Sequence, residues 1–319
     1  MKVLVTGANG LIGSAVIETL AQSDMEPVAG LRNSCGHNAW PVVVLGDLCT
    51  QDHLRKLDLS GIDAIVHTAG RAHVLEKQPE HAVSLFRQIN TDATLTLASR
   101  AATAGVRRFI FLSSIGVNGN VTAETAFDED TKSAPHVDYA QSKWEAEQGL
   151  WEIAAETDLE VVIVRPPLVI SGRATGNLNR LMGLVHAGIP LPLASVNNQR
   201  SLVALENLVD FISACLMHPE AADQTFVISD NDDISTPEMV RCLADGMGKK
   251  ALLLPFPLSV MSAGAKLLNR RSLFTQLCCS LQIDSFKARG LLGWSPSVSV
   301  RDALRAAGRE YAQCKRQVG

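Results

Sequence analysis

Tyrosine is nearly missing from this chain: of 319 residues only two are tyrosine, Tyr139 and Tyr311, and aromatic residues make up 5%. Chemistry that needs a phenol is confined to those two positions. An excess of positive charge is also missing. The formal net charge is −4, which argues against a dedicated nucleic-acid binder. No apolar run reaches the roughly 18–20 residues needed to span a bilayer. Met1-Lys2 leads straight into the strand-like run Val3-Leu4-Val5-Thr6, with no apolar stretch and small-residue cleavage site ahead of it. The sequence therefore carries no signal-peptide pattern, and a cytoplasmic protein is expected. Cys35, Cys49, Cys215, Cys242, Cys278, Cys279 and Cys314 contain no C-x-x-C spacing, and their number, 7, is odd. Reduced thiols fit that pattern better than a disulfide frame. His67, His73 and His81 form no H-x-x-x-H ligand pair, so no metal site is expected.

What is present is an ordinary globular composition, 46% hydrophobic and 19% charged, in a chain long enough to bury a full core. Short β-branched runs alternate with helical patterns through the first half. Strands are expected at Lys2–Val5, Pro27–Leu31, Val42–Leu45, Ala64–His67, Arg108–Leu112 and Glu160–Val164. Helices are expected at Gly10–Gln22, Val83–Ala104 and Tyr139–Glu156. Near-continuous apolar strands separated by helices require a parallel sheet covered on both faces, hence an α/β, doubly wound fold.

Beyond Pro166 the pattern changes. Gly172–Gly176 reads as a loop. Helices are expected at Asn177–His186, Leu205–Met217, Thr236–Gly246, Leu258–Leu268, Ile283–Leu291 and Val300–Tyr311, with a short strand at Thr225–Ile228. The expected division is a dinucleotide-binding domain over residues 1–166 and a smaller substrate-facing α/β lobe over 167–319, some of whose elements return to the sheet.

The first strand runs into Gly7-Ala8-Asn9-Gly10-Leu11-Ile12-Gly13 and then a helix. Gly7 permits a tight turn, Gly10 lets a pyrophosphate approach the backbone, and Gly13 lets helix and strand pack closely. The helix N-terminus offers free N–H groups to phosphate. An NAD-preferring site usually carries an acid at the end of the second strand. Here Leu31 stands in its place and Arg32 follows. Arg32 reads either as a partner for a 2′-phosphate, favouring NADP with NAD still open, or as a solvated surface residue. Asp47, after the third strand, reads either as an acceptor for the adenine amino group or as a helix cap.

Tyr139 and Lys143 stand four residues apart, on one face of a helix. A neighbouring ammonium favours the phenolate, so the lysine is expected to lower the tyrosine pKa toward working pH and make Tyr139 a general acid/base for a hydroxyl. Ser113 and Ser114 lie upstream at the end of the fifth strand, where ligands sit in such sheets.

With these residues in hand, the chain resembles the extended short-chain dehydrogenase/reductase superfamily, in its nucleotide-sugar epimerase/dehydratase branch. The likeness runs nearly end to end. It rests on Thr6-Gly7-x-x-Gly10-x-x-Gly13, Asp47-Leu48, His67-Thr68-Ala69-Gly70, Asn90, Ser113-Ser114, Tyr139-x-x-x-Lys143, Arg165-Pro166-Pro167 and Leu292-Gly293-Trp294-Ser295-Pro296. The resemblance implies a Rossmann-type sheet. It implies that Ser114 hydrogen-bonds a substrate hydroxyl, Tyr139 exchanges its proton, and Lys143 binds the nicotinamide ribose and tunes Tyr139. It implies cofactor contacts from Gly7, Asn9, Gly10, Leu11, Ile12, Gly13, Arg32, Asp47, Leu48, Thr68, Ala69, Gly70, Asn90, Ser113 and Pro166. It makes His67 structural. Where the family often has V-Y-G, this chain has Val117-Asn118-Gly119, which implies altered packing near the substrate.

For a nucleotide sugar, UDP-linked by resemblance, Asn177 would contact the diphosphate and Arg200 would pair with a phosphate. Pro190-Leu191-Pro192-Leu193 resembles a strand along the base. The bland alternatives are a helix cap for Asn177 and a surface pair for Arg200. A 4,6-dehydratase of this branch would need Asp-Glu where Ile115-Gly116 stand, so dehydration is not expected. A 4-keto reductase and a 4-epimerase both need only Ser114, Tyr139 and Lys143. Leu31-Arg32 favours the reductase, and the likeness extends to enzymes of bacterial surface-polysaccharide synthesis that reduce UDP-4-keto-6-deoxy-N-acetylhexosamine.

Two further readings stay beside these. One is a reductase of a hydrophobic or lipid-linked substrate. It is suggested by Pro255-Phe256-Pro257-Leu258-Ser259-Val260-Met261 followed by Lys266, Arg270 and Arg271, which reads as a basic amphipathic helix able to touch a membrane or as a core stripe. The other is a dinucleotide-sensing binding protein, which the retained Tyr139 and Lys143 disfavour. By family analogy the chain forms a homodimer through the helices carrying Asn90 and Tyr139.

Overall fold

The computed structural model describes residues 1–33, 39–72 and 79–318. Cys35 and His73 lie outside the described residues. Seven parallel strands form the main sheet, in the order β3-β2-β1-β4-β5-β6-β9. They are β1 (Lys2–Thr6), β2 (Glu26–Leu31), β3 (Val42–Val44), β4 (Ala64–His67), β5 (Arg108–Leu112), β6 (Glu160–Arg165) and β9 (Gln224–Val227). Strand order reverses between β1 and β4, which opens a crevice at the carboxyl end of β1.

Side chains alternate across this sheet as strand geometry demands. Val3, Val5, Val66, Ile110, Val162 and Val164 face one core cluster. Leu4, Val28, Ile65, Phe109, Phe111 and Ile163 face the other. The first cluster is closed by α1 (Leu11–Leu20) and α7 (Leu205–Met217), the second by α4 (Ala93–Thr103) and α5 (Asp138–Glu156). A short α2 (Asp52–Arg55) follows β3. β9 pairs with β6 from Val162↔Gln224 to Arg165↔Val227, so late sequence completes the sheet.

The expected helix Val83–Ala104 is interrupted. α3 (Pro79–Phe86) passes into a π-helical turn, Arg87–Asp92, before α4. Such a turn accommodates one extra residue and is frequent at functional sites. It contains Asn90, which is fully buried.

The remaining elements pack over the carboxyl edge. β7 (Leu168–Ile170) pairs with β8 (Leu202–Ala204) in a separate two-stranded sheet. α6 (Gly176–His186), α8 (Thr236–Gly246) and α12 (Val300–Val318) enclose a core of their own, including Leu178, Met182, Val240, Leu243 and Leu304. α8 is started by Ser235, whose hydroxyl accepts from the Glu238 N–H at 3.3 Å. Two helices then project outward, α9 (Leu258–Leu267) and α10 (Arg271–Cys278). Neither buries a single residue, so the core reading of the Leu258–Leu268 stripe does not hold. α11 (Phe286–Leu292) starts later than the expected Ile283, because Ile283 is taken up by a bridge to Phe127. Pro190–Leu193 forms no strand; Leu191 makes one isolated bridge to Leu253. Among the described residues no helix is long and apolar enough to cross a membrane.

Candidate active site

Gly7 adopts a positive φ of 69°, and its carbonyl accepts from Gly10 N–H at 2.8 Å. This turn delivers the chain into α1, capped by Gly10 backbone with no side-chain bond. A Cβ on Gly13 would lie 2.3 Å from the Gly7 oxygen, inside any permitted contact, so β1 and α1 meet closely only because Gly13 has no side chain. Free N–H groups at the start of α1 therefore face the crevice without side chains in the way.

That crevice is a cavity of about 440 Å³. Of the residues expected to touch a dinucleotide, Gly7, Asn9, Gly10, Arg32, Asp47, Leu48, Thr68, Ala69 and Gly70 line it together. Gly30, Leu31, Gly46, Cys49 and Arg71 are among the other wall residues. The side chains of Leu11 and Ile12 pack against the core instead. The cradle fits a dinucleotide: one cavity joins a backbone turn that tolerates no Cβ, at the start of α1, to the ends of β2 and β4.

Arg32 and Asp47 meet at the β2 end of this cleft. Arg32 Nη2 lies 2.8 Å from Asp47 Oδ1, both side chains being partly exposed. Asp47 also accepts from Cys49 N–H at 3.1 Å. The Cys49 bond most of all, helped by Arg32, holds its carboxyl below the usual range against the opposing effect of burial. Sequence reasoning treated these residues separately, yet they form one ion pair.

The second cavity, about 450 Å³, is lined by Ser114, Gly116, Tyr139, Asn177, Arg200 and a largely apolar remainder that includes Leu181, Met239 and Leu277. Ser114, Tyr139, Asn177 and Arg200 were all expected here. Ser114 closes β5, and its Oγ accepts from Gly116 N–H at 3.1 Å, which fixes the hydroxyl at the cavity wall. Asn177 donates to Gln276 of α10. Arg200 Nη1 donates to the Cys279 carbonyl at 3.0 Å, and burial works against its charge. Neither partner follows from sequence spacing. Ile115, in the position where a dehydratase acid would stand, is buried.

Tyr139 stands in the first turn of α5, with Lys143 one turn later. Burial pushes the phenol up to about 12. This differs from the expectation that Lys143 lowers it. The Lys143 ammonium is buried at 3% exposure, donates to the Leu112 carbonyl at 2.9 Å and lies 4.4 Å from the Phe111 ring centre. Burial depresses it to about 8, opposed by Glu147. Its tip lies beside Gly70, a wall residue of the dinucleotide cleft: a Cβ on Gly70 would sit 3.3 Å from Lys143 Nζ. Lys143 thus lies behind Gly70 on one side and one turn from Tyr139 on the other.

Several expected cofactor residues serve as supports. Asn90 accepts from Arg71 N–H at 2.8 Å and donates to the Arg71 carbonyl at 3.1 Å and to Ser142 Oγ at 3.0 Å, tethering the loop that carries Gly70. Thr68 Oγ1 donates to the Thr6 carbonyl at 2.7 Å. Pro166 is buried, and its carbonyl accepts from Ile115 N–H at 3.0 Å. His67 bridges Thr6 and Thr94 through both ring nitrogens, at 2.7 and 3.0 Å; burial, then Lys143, lowers it to about 3. The Ser113 hydroxyl donates to Glu147, whose carboxylate is also gripped by Arg165. Arg165 Nη1 reaches Asn118 Oδ1 at 3.0 Å, so the asparagine of Val117-Asn118-Gly119 completes a buried ionic network. Sequence reasoning missed Glu147. Its signal was the repeat of the four-residue step from Tyr139 to Lys143 to Glu147.

The model of the NAD dependent epimerase/dehydratase family matches residues 3–229. The chain is 36% identical to a UDP-glucose 4-epimerase of Vibrio cholerae over 98% of this chain and 96% of that one. It is 28% identical to N-acetyl-alpha-D-glucosaminyl-diphospho-ditrans,octacis-undecaprenol 4-epimerase of Escherichia coli O157:H7, over 82% of this chain and 77% of that one. Among solved structures, a UDP-glucuronic acid 4-epimerase from Bacillus cereus in complex with NAD superposes with a TM-score of 0.78 at 21% identity, covering 98% of this chain and 96% of that one.

Proposed function

Because this chain belongs to the NAD dependent epimerase/dehydratase family, as an enzyme of the extended short-chain dehydrogenase/reductase type, we propose that it transfers hydride at C4 of a UDP-linked sugar. The observation that carries this reading is that Ser114 and Tyr139 share one cavity wall while Lys143, one turn along α5, lies against Gly70 of the dinucleotide cleft. A bound nicotinamide dinucleotide supplies or accepts the hydride. The residues of the chain do the rest. Ser114 orients the C4 oxygen. Tyr139 moves the proton at that oxygen. Lys143 holds the ribose side of the cofactor and lends positive charge. Asn177 and Arg200, at the far wall, hold the diphosphate.

The net reaction proposed is reduction of a UDP-4-keto-6-deoxy-(N-acetyl)hexosamine. A phenol held at about 12 is protonated across the neutral range, ready to give a proton to a developing C4 alkoxide. β2 ends at Leu31 and Arg32 follows, with no acid to clamp a ribose 2′-hydroxyl, which suits a cofactor that enters reduced and leaves oxidised. NADPH is the favoured donor through Arg32, in competition with Asp47. The second reading is 4-epimerisation with retained NAD, favoured by the Vibrio cholerae relative.

One experiment separates them. The purified protein is mixed with NADPH or NADH and a UDP-4-keto-6-deoxyhexosamine, and nicotinamide absorbance is followed. Stoichiometric loss supports reduction. Interconversion of UDP-glucose or UDP-N-acetylglucosamine with their C4 epimers, without cofactor consumption, overturns it in favour of epimerisation.

A further inference from the structure

The helices α9 and α10 leave an apolar surface with a strongly one-signed border. Half of the large hydrophobic side chains exposed among the described residues fall between Leu252 and Leu273, so this is a concentration and not ordinary scatter. Phe256 is 42% exposed, Val260 51%, Leu267 87% and Leu268 72%. On α9 the inner face is held by Met261, which packs on the C-terminal core, while Ser262, Ala265 and Lys266 border a cleft shared with Arg271 and Phe274 of α10. Val260 and Leu267, seven residues apart, lie on the same outer stripe.

Charge around the stripe is of a single sign. Between Asp245 and Asp284 the sequence holds Lys249, Lys250, Lys266, Arg270 and Arg271 and no acid, in a chain whose net charge is −4. Among the described residues, Lys250, Lys266, Arg270 and Arg271 have no carboxylate within ion-pair distance. The cations therefore remain available.

We propose that the α9–α10 hairpin docks on an anionic lipid bilayer, with Phe256, Val260, Leu267 and Leu268 in the interfacial layer and Lys266, Arg270 and Arg271 against the headgroups. Apolar stripes bordered by Lys and Arg bind such surfaces by adding buried hydrophobic area to attraction for anionic lipid. A second copy of the chain fits less well. A two-fold interface apposes the same patch to itself, which here would set unpaired cations against cations. Docking would also set the substrate cavity beside the membrane, because Leu273, Gln276 and Leu277 of α10 form part of its wall. This inference does not rest on the direction of hydride transfer.

The test is sedimentation of the full-length protein with vesicles of phosphatidylcholine alone and of phosphatidylcholine mixed with phosphatidylglycerol. We expect binding to the mixed vesicles, weakened by salt, and little to the neutral ones. Two variants separate the contributions, Leu267→Ser with Leu268→Ser, and Lys266→Glu with Arg270→Glu and Arg271→Glu. Each should lower the bound fraction about tenfold, while turnover of a free UDP-sugar stays within about twofold of wild type. Wild-type protein that remains in the supernatant with anionic vesicles overturns the proposal. So does binding that both variants retain in full. A wild-type dimer that each variant converts to monomer, with no vesicle binding, assigns the face to self-association and overturns it equally.

Discussion

Arg165 grips Glu147 with both edges of its guanidinium fork, Nε to Oε1 at 3.0 Å and Nη2 to Oε2, at a site where the Glu147 side chain is wholly buried. The pair joins the end of β6 to the middle of α5, one turn beyond Lys143. It sets the height of α5 above the sheet and so the reach of Tyr139 and Lys143. Removing one partner strands a buried charge. Glu147→Ala should lose about 3–5 kcal/mol of stability, while Glu147→Gln, which still accepts from Ser113, should lose less. Urea unfolding followed by circular dichroism measures both. Equal, small losses would mean the network is dispensable.

Tyr139→Phe removes the phenolic proton and leaves the ring packed 6.2 Å from Phe86. Turnover should fall by about 10²–10⁴, with dinucleotide affinity retained. A dinucleotide sensor would keep its ligand response unchanged in this variant, and that result would contradict the enzyme reading.

The alkaline limit of activity should be set by Lys143 and not by Tyr139. Lys143 is depressed to about 8 while Tyr139 is raised to about 12. Activity is expected to decline as pH rises through about 8, when the ammonium loses its charge. A kcat/KM profile with its alkaline limb above about 10 would rule this assignment out.

Arg32 and Asp47 should act oppositely on cofactor choice. Arg32→Ala removes the candidate partner of a 2′-phosphate, lowering kcat/KM for NADPH about tenfold, the worth of one charged hydrogen bond, with little effect on NADH. Asp47→Asn frees Arg32 from its ion pair and should shift preference toward NADPH. Identical responses with both cofactors would remove Arg32 from the recognition of the phosphate.

His67 couples stability to acid. Burial lowers its folded pKa to about 3 from an ordinary 6.5, so below 6.5 the unfolded chain binds a proton that the folded one refuses. The stability contributed is therefore present above 6.5 and is lost as pH falls toward about 3. At about pH 5 the loss from this group alone is about 2 kcal/mol. His67→Gln should show a flatter pH dependence in denaturant titrations between neutral pH and about pH 5.

The parts of the molecule legible in the sequence were those built from neighbours. The run Val3–Thr6, the turn at Gly7 and the start of α1 follow from local sterics, and Tyr139 and Lys143 share a face by helical spacing alone. What could not be read joined distant segments. Arg32 meets Asp47, Asn177 meets Gln276 and Glu147 meets Arg165 only because the fold packs separate parts of the chain together. The π-helical turn around Asn90 was hidden because its residues fit an unbroken helical pattern. β7 and β8 are three residues each, too short for a period to declare itself. The Leu258–Leu268 stripe misled because periodicity reports that a helix has an apolar face, not what covers it.

The strand that closes the sheet arrives late, and this sets a timetable for the chain as it is made. When residue 166 has left the ribosome, six of seven strands exist, but β6 still presents an open edge that β9 will occupy. The core on one face also waits for Phe211 and for Trp294, whose rings pack 5.0 Å apart. The nascent protein must therefore hold an unfinished, edge-exposed sheet through most of its synthesis. A fragment ending at Pro166 would be a template for aggregation and not a miniature of the dinucleotide site.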